Sequence, residues 1–480
     1  MKYKQALEFL EELNVFGINL GLGRITKLLE LLGNPQNDYK TVHVTGTNGK
    51  GSVTAMLAEI LKKSGIRTGM YISPHLSSYT ERIQVDGSSC SEAEFAAALE
   101  VVQRAMDIMD AKGEEHPTQF EVLTAAAFVL FQLKKVEYAV IEVGLGGLLD
   151  STNVIVPAVS VITNVSLEHA DKCGGTLEGI AEHKAGIIKT GIPVVTGAEG
   201  IALDIIRETA AANGCDIYVM GEDFYAEPVN EPKGQLSIPP NLGVTGTGVN
   251  DRALMDMQIE ALSSLSWSKF SLDDDSQAYQ LTGFRTDVEV MGNMEYRLAL
   301  LGLHQVSNSS LAVAAAMVLA TDDLRITRSS IKKGMASVKW PGRFEQLTGY
   351  DFSLLIDGAH NSAGVTVLRQ SLDYYYPDQN RVFLLGILKD KAFEEMLDIL
   401  LRPEDKVVFT APLSDRAASP EELLSLPKAK KLRCARAESD YKKALSMAKE
   451  MAAESDDTML ICAGSLYLIG ALRELLLTNR

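Results

Sequence analysis

The stretch Thr45-Gly46-Thr47-Asn48-Gly49-Lys50-Gly51-Ser52 lies between a β-branched run at residues 41–44 and a segment at 53–63. In that segment Val53, Met56, Leu57 and Ile60 share one helical face. Glycines in such a turn let backbone N–H groups face inward around a phosphate, and the N-terminus of the following helix adds a favourable dipole. Lys50 is placed to neutralise β/γ oxygens, while Ser52 offers a hydroxyl to phosphate or Mg²⁺. The strict GxxxxGK(S/T) template is not met, because the first interval is shorter and Gly51 separates Lys50 from Ser52. A purely structural glycine turn is the competing reading, and it leaves the lysine and serine unexplained.

The same strand, loop and helix order recurs outward from this point. Residues 138–143 precede Gly144-Leu145-Gly146-Gly147, and 158–163 precede a polar segment that leads into a helix near 180–188. Alternating strands and helices imply crossover connections and a mostly parallel sheet covered on both faces, with ligands beyond the carboxyl ends of the strands. Glu142 closes the run AVIEV, His169 follows VSVITN, and Ser73 follows TGMYIS. Hard oxygen donors such as Glu142 and Ser73 suit the Mg²⁺ that accompanies a bound nucleotide; His169 is a less usual ligand for it. Taken singly, His169 reads as a hydrogen-bonding loop histidine and Glu142 as half of an ion pair. Their convergence on one phosphate loop favours a site. The glycines at 144–147 lack the third glycine of a dinucleotide fingerprint and follow an acid, which disfavours a nicotinamide enzyme. No GxSxG elbow supports a serine nucleophile.

Residues 230–296 differ in character, with PPNLGVTGTGVND and SLDDDSQ separating short alternating runs. They read as irregular β structure with long loops or as an irregular insertion. An alanine-rich helix follows at 308–319, then a second near Ile331, then Trp340-Pro341-Gly342 as a hinge spanning 339–342. Strand-like runs restart at 352–356, 382–385, 406–410 and 458–462. The expectation is an N-terminal ATP-binding domain over 1–338 and a smaller C-terminal Rossmann-like α/β domain over 343–480.

Composition narrows the class. The 480 residues carry 46 Lys plus Arg against 63 Asp plus Glu, a net charge of −17, which argues against a nucleic-acid or anionic-membrane partner. Five cysteines are scattered without a CxxC pair, so neither a disulfide framework nor a zinc cage is indicated. The apolar run at 125–133 is far short of the ~20 residues of a membrane span. A monomeric protein of the cytoplasm is expected.

Ten strings then occur in order: TGTNGKGS (45–52), SPHLSSYTERI (73–83), TQFE (118–121), EVGLGG with LDSTN (142–153) and TNVSLEH (163–169). AEHKAGIIK (181–189), HQVSN (304–308), WPGRFE (340–345), DGAHN (357–361) and GSLYL (464–468) complete them. Together they resemble the Mur ligase superfamily, in its folylpolyglutamate synthase and dihydrofolate synthase branch. The resemblance implies an ATP-dependent amide ligase in which ATP phosphorylates a carboxylate and L-glutamate attacks the acyl phosphate. The acceptor it implies is a reduced folate, with dihydropteroate left open. It implies that Asn48, Gly49, Lys50, Gly51 and Ser52 hold the phosphates and that Asn308, Arg343 and Asp357 contact ATP. Ser73 and Glu142 would bind one Mg²⁺ and His169 a second. Lys184 would be a carbamylated metal ligand, and His360 would complete the catalytic set with Lys50 and Lys184. Thr118, Gln119, Phe120, Glu121, Leu149, Asp150 and Ser151 fall where the pteridine substrate binds.

The chain departs from the family pattern at Leu148, where an arginine is common, in ADKCGG after His169, and at Ala392, where an acid is frequent. Two other readings stay open. One is a Mur-type ligase acting on a different carboxylate, although a phosphate loop starting at residue 45 leaves no room for an added uridine-binding domain. The other is a catalytically impaired nucleotide-binding regulator.

Overall fold

The computed structural model describes residues 1–167, 173–228, 277–282 and 294–478. Contacts divide the chain into two units, Met1–His75 with Tyr79–Ala299 and Val306–Val338, and Leu76–Ser78 with Leu300–Gln305 and Lys339–Arg480.

The first unit runs α1 (Tyr3–Glu12), α2 (Gly23–Leu31), β1 (Lys40–Thr45), α3 (Lys50–Lys63), β2 (Thr68–Tyr71), β3 (Ile83–Val85) and β4 (Ser88–Ser89). It continues with α4 (Glu92–Ala111), α5 (Gln119–Leu133), β5 (Tyr138–Glu142), β6 (Val159–Ile162), α6 (Leu177–Ala185), β7 (Val194–Thr196), α7 (Gly200–Ala212) and β8 (Ile217–Val219). One sheet takes the order β4-β3-β2-β5-β1-β6-β7-β8. The neighbours from β2 through β8 pair in parallel, and β3 and β4 close one edge antiparallel. β1 is central, with Val44 opposite Glu142 on one side and Val161 on the other. That register brings the phosphate loop, Glu142 and the loop after β6 to the same end of the sheet.

The helices follow from their caps and faces. Ser91 caps α4 by accepting from Glu94 N–H, while the Glu94 carboxylate accepts from Ser91 N–H at 2.9 Å. Thr118 and Glu121 form the same reciprocal box at the start of α5. α5 is apolar almost all round, and it is covered accordingly: residues such as Phe128 and Phe131 are fully buried among α1, α2, α4 and the sheet. A three-stranded antiparallel sheet has the order β11-β10-β9, from β9 (Tyr225–Pro228), β10 (Gln277–Thr282) and β11 (Met294–Leu298). Part of the region expected to be irregular is thus ordinary β-ladder; residues 229–276 and 283–293 lie outside the described residues. Two helices complete the run, α8 (His304–Leu319) and α9 (Arg328–Ser337). α9 packs on α3 at a close approach: a Cβ on Gly334 would stand 2.8 Å from Ile60 Cα.

The second unit has a six-stranded sheet from β12 (Glu345–Leu347), β13 (Ser353–Ile356), β14 (Asn380–Leu385), β15 (Lys406–Phe409), β16 (Cys434–Ala437) and β17 (Thr458–Ala463). Its order is β12-β13-β17-β14-β15-β16, parallel except for the edge strand β12. Helices α10 (Ser362–Tyr375), α11 (Phe393–Leu400), α12 (Pro420–Ser425), α13 (Tyr441–Ala452) and α14 (Leu466–Thr478) accompany it. Two apolar layers result, one around Phe383 and Phe409 and the other around Leu384 and Leu460. Both units are α/β with mostly parallel sheets, as the alternating pattern predicts.

Three helix limits differ from the sequence reading. α3 starts at Lys50, inside the glycine loop, because Gly49 takes the left-handed conformation and serves as its N-cap. α6 stops at Ala185, where Gly186 caps it and the next residues turn tightly, Ile188 N–H donating to Ala185 O. α8 begins at His304, four residues earlier than the alanine-rich run suggests.

Candidate active site

The phosphate loop is held by its neighbours on the sheet. Asn48 N–H donates to Asn164 Oδ1 at 2.9 Å, while Asn164 Nδ2 and Thr163 Oγ1 donate to Asn48 O at 3.2 and 2.6 Å. Thr47 N–H donates to Asn164 O, and the Thr47 hydroxyl both donates to Ser166 O and accepts from Ser166 N–H. The loop therefore leaves β1 already folded. Two glycines are obligatory here: a Cβ on Gly46 (φ +150°) would lie 1.8 Å from Thr163 Oγ1, and one on Gly49 (φ +82°) 2.3 Å from Asn308 Oδ1. Lys50 curls back, its Nζ donating to Gly46 O at 2.9 Å and Thr47 O at 3.0 Å. Its ammonium is thus held on the loop's own carbonyls. Ser52 is buried in the first turn of α3.

Gly49→Ala combines a strained backbone with displacement of Asn308. We expect it to weaken ADP binding at least about tenfold, as read by titration calorimetry.

Glu142 and Ser73 meet, Ser73 N–H donating to Glu142 Oε2 at 3.0 Å, and Glu142 is 5 % exposed at the end of β5. Lys184 is also 5 % exposed, in the last turn of α6. His169 lies outside the described residues. α6 touches the glycine loop directly: Leu148 N–H donates to His183 O at 2.7 Å, and a Cβ on Gly147 would stand 2.6 Å from that carbonyl oxygen.

The seven residues read as substrate contacts fall into one neighbourhood of the first unit. Thr118 caps α5, and Glu121 accepts from Thr118 N–H at 2.7 Å and from Arg24 Nε at 3.1 Å. Gln119 donates to Leu10 O and Asn14 Oδ1. Phe120 lies against Gly144, where an added Cβ would approach its Cζ to 2.3 Å. Ser151 Oγ bonds Thr124 Oγ1 at 2.9 Å, and Leu149 is 37 % exposed. Asp150 is buried and organises its own loop, accepting from Leu145 N–H at 2.9 Å, Thr152 N–H at 3.0 Å and the Thr152 hydroxyl at 2.5 Å. Burial raises its carboxyl above the usual range, and these hydrogen bonds offset only part of the rise.

In the second unit Asp357 follows β13 and accepts from Phe344 N–H and Ala359 N–H, both at 2.8 Å. Burial raises its carboxyl, and the Arg343 guanidinium opposes the rise. Arg343 lies against Gly358, where a Cβ would meet its Nη1 at 1.9 Å. His360 Nδ1 bonds Gly358 O at 2.8 Å. Arg343, Asp357 and His360 are therefore one cluster. Asn308 faces Gly49 within the first unit.

Sequence reasoning did not single out Thr163 and Asn164, which clamp the loop, or His304. His304 is half-buried, with its Nδ1 inaccessible and lacking a partner among the described residues; desolvation and the nearby Arg343 lower it to about 4. These residues stand within the strings TNVSLEH and HQVSN, which carry the signal.

Comparison with known proteins extends this. Residues 44–230 match the family described as Mur ligase middle domain, and 341–476 match dihydrofolate synthetase, C-terminal domain. The chain is 33 % identical over 463 residues to a folylpolyglutamate synthase of Lacticaseibacillus casei, covering 95 % of this chain and 94 % of that protein. It is 29 % identical to the dihydrofolate synthase/folylpolyglutamate synthase of Bacillus subtilis, covering 98 % of each. A Mycobacterium tuberculosis folylpolyglutamate synthase solved with ADP and AMPPCP superposes with a TM-score of 0.80 at 28 % identity, covering 99 % of both chains.

Proposed function

Since this chain belongs to the folylpolyglutamate synthase and dihydrofolate synthase family of ATP-dependent Mur-type ligases, we propose that it adds L-glutamate to the γ-carboxylate of a reduced folate. The observation that carries this reading is the preformed phosphate loop, with Lys50 bonded to its carbonyls and buried Glu142 accepting from Ser73 N–H at the adjoining strand ends. A carboxylate is a poor acyl donor because its leaving group would be oxide. Transfer of the γ-phosphoryl group to a carboxylate oxygen releases ADP and gives an acyl phosphate. The glutamate nitrogen then attacks the acyl carbon, the amine proton passes to solvent or a base, and phosphate leaves with one former carboxylate oxygen. The chain's part is to position the reactants and neutralise phosphoryl charge.

In this reading Asn48, Gly49, Gly51 and Ser52 cradle the phosphates with their backbone, Lys50 pairs with β/γ oxygens, and Asn308 lies beside the loop. Arg343, Asp357 and His360, a cluster within the second unit, are assigned to ATP by the family resemblance. Mg²⁺ fits the donors present: Mg²⁺ is usually held by one or two carboxylates together with substrate phosphates, and Glu142 and Ser73 supply such a partial set. Glu142 and Ser73 would hold one ion, with Lys184 as its carbamate and His169 toward a second; such an ion would supply screening of the phosphate charge. The residues 118–121 and 149–151 border the pteridine substrate. This reading takes the protein as a monomer of the cytoplasm; its five free cysteines suit a reducing compartment.

The mechanism is tested with folate labelled by ¹⁸O in its γ-carboxylate. One labelled oxygen per turnover is expected in released phosphate; unlabelled phosphate would exclude acyl phosphorylation.

Dihydropteroate is the second acceptor to examine, because one sequence feature bears on it. Leu148 is 43 % exposed; its backbone is anchored, the N–H donating to His183 O and the carbonyl accepting from Asn153 Nδ2, while its side chain lies against Gly186. A cation can therefore be introduced without disturbing the anchor. Leu148→Arg is expected to raise kcat/KM for dihydropteroate relative to tetrahydrofolate about fivefold or more, the scale of one charge-assisted contact. An unchanged ratio would remove Leu148 from specificity.

A further inference from the structure

Strand β1 turns one row of side chains toward the segment that follows β5, and all three members of that row are polar. Alternate residues of a strand share a face, and here Thr41, His43 and Thr45 do so. Thr45 Oγ1 donates to Gly146 O at 2.6 Å, His43 Nε2 lies 2.9 Å from Thr152 Oγ1, and Thr41 Oγ1 donates to Val156 O at 3.4 Å. The strand that delivers the phosphate loop is thereby fastened at three points to residues 146–156, which carry Leu149, Asp150 and Ser151.

The middle fastening has a defined direction. Thr152 has one hydroxyl proton, and it goes to Asp150 Oδ1 at 2.5 Å. His43 must therefore donate from Nε2, which leaves Nδ1 bare, and Nδ1 is indeed buried without a partner among the described residues. Burial, reinforced by the nearby Lys189 ammonium, lowers this histidine to about 3, so the ring is neutral at physiological pH. Asp150 passes the connection on, its Oδ2 accepting from Leu145 N–H at 2.9 Å. His43 is inaccessible to solvent.

We propose that His43 is a positioning residue. Through Thr152 and Asp150 it sets Leu145 and the 144–153 loop against the phosphate loop, so that the acceptor is held in line with the nucleotide. The role of that loop rests on the function proposed above. The geometry explains why a buried strand spends a position on histidine where an aliphatic side chain would pack: the hydrogen-bond run needs a neutral donor at that depth. It also gives Asp150 a task other than direct substrate contact.

The test compares His43→Leu, Thr152→Val, the double variant and His43→Gln, whose Nε2 restores a donor. Hydrogen exchange of the peptide containing Leu145 is measured without any substrate, and acceptor KM and ADP affinity are measured separately. Either single variant is expected to speed exchange at Leu145 and raise acceptor KM about tenfold, the worth of one buried hydrogen bond, with ADP affinity within about twofold. The double variant is expected to be no worse than the singles, because both cut the same connection. His43→Gln is expected to return both readouts toward wild type. Effects that multiply in the double variant, unchanged exchange in Thr152→Val, or parallel losses of ADP and acceptor affinity would overturn the proposal. If His43→Leu does not fold, Thr152→Val carries the test alone. Wild-type protein that adds glutamate to no pteridine acceptor would defeat the proposed function, and the substrate-free exchange result would still decide the connection itself.

Discussion

Lys50→Ala is expected to lower ADP release under turnover conditions by about a thousandfold or more, with an unchanged circular dichroism spectrum. The side chain contributes little to the fold. Its two bonds go to Gly46 O and Thr47 O, carbonyls of the loop it serves, and the clamp by Thr163 and Asn164 does not involve it. What it supplies is a positive charge on the loop. That charge matters most when phosphoryl oxygens redistribute their negative charge in a site closed to water, where a fixed cation acts without reorganising. The effect should therefore fall on kcat more than on nucleotide affinity, because backbone N–H groups still bind the ground state. Turnover within about tenfold of wild type would remove Lys50 from the chemistry.

Lys184→Ala is the second large loss expected, about a hundredfold or more in turnover, and it should be recoverable in part by a short carboxylate such as formate or acetate. A lysine that is 5 % exposed has little water to solvate its ammonium. Addition of CO₂ to the neutral amine gives a carbamate anion and releases a proton, so the same side chain becomes an oxygen donor. Position opposes this in one respect. Lys184 is in the last turn of α6, where the helix dipole disfavours an anion. The carbamate should thus form only with a divalent cation beside it, and a ¹³C-bicarbonate NMR signal is expected with Mg²⁺ and absent with chelator. Full turnover of Lys184→Ala in CO₂-depleted buffer would refute the carbamate.

How far the sequence could be read depended on whether an element is written in consecutive residues or assembled across strands. The phosphate loop is consecutive, so its glycines, lysine and serine could be identified directly, as could the parallel α/β character of both units from strands alternating with helices. Asn164 belongs to the same site but reaches Asn48 only because β6 lies beside β1 in the sheet, an order the crossovers determine. His43 read as one more residue of a buried strand, since nothing local shows that Thr152 will stand opposite it. Asp150 is the instructive case: the resemblance alone implies a substrate contact for it, and nothing local shows that the turn also folds its carboxylate back onto Leu145 and Thr152. The start of α3 was misjudged for a related reason. Gly49 was read as part of a loop, although its left-handed backbone is what lets the helix begin one residue later.

The most direct test of the whole account is product mass after incubation with MgATP and L-glutamate, run in parallel on tetrahydrofolate and dihydropteroate. The account predicts ADP release coupled to a product heavier by one glutamyl residue on tetrahydrofolate. Nucleotide binding or hydrolysis without a mass gain on either acceptor would contradict it.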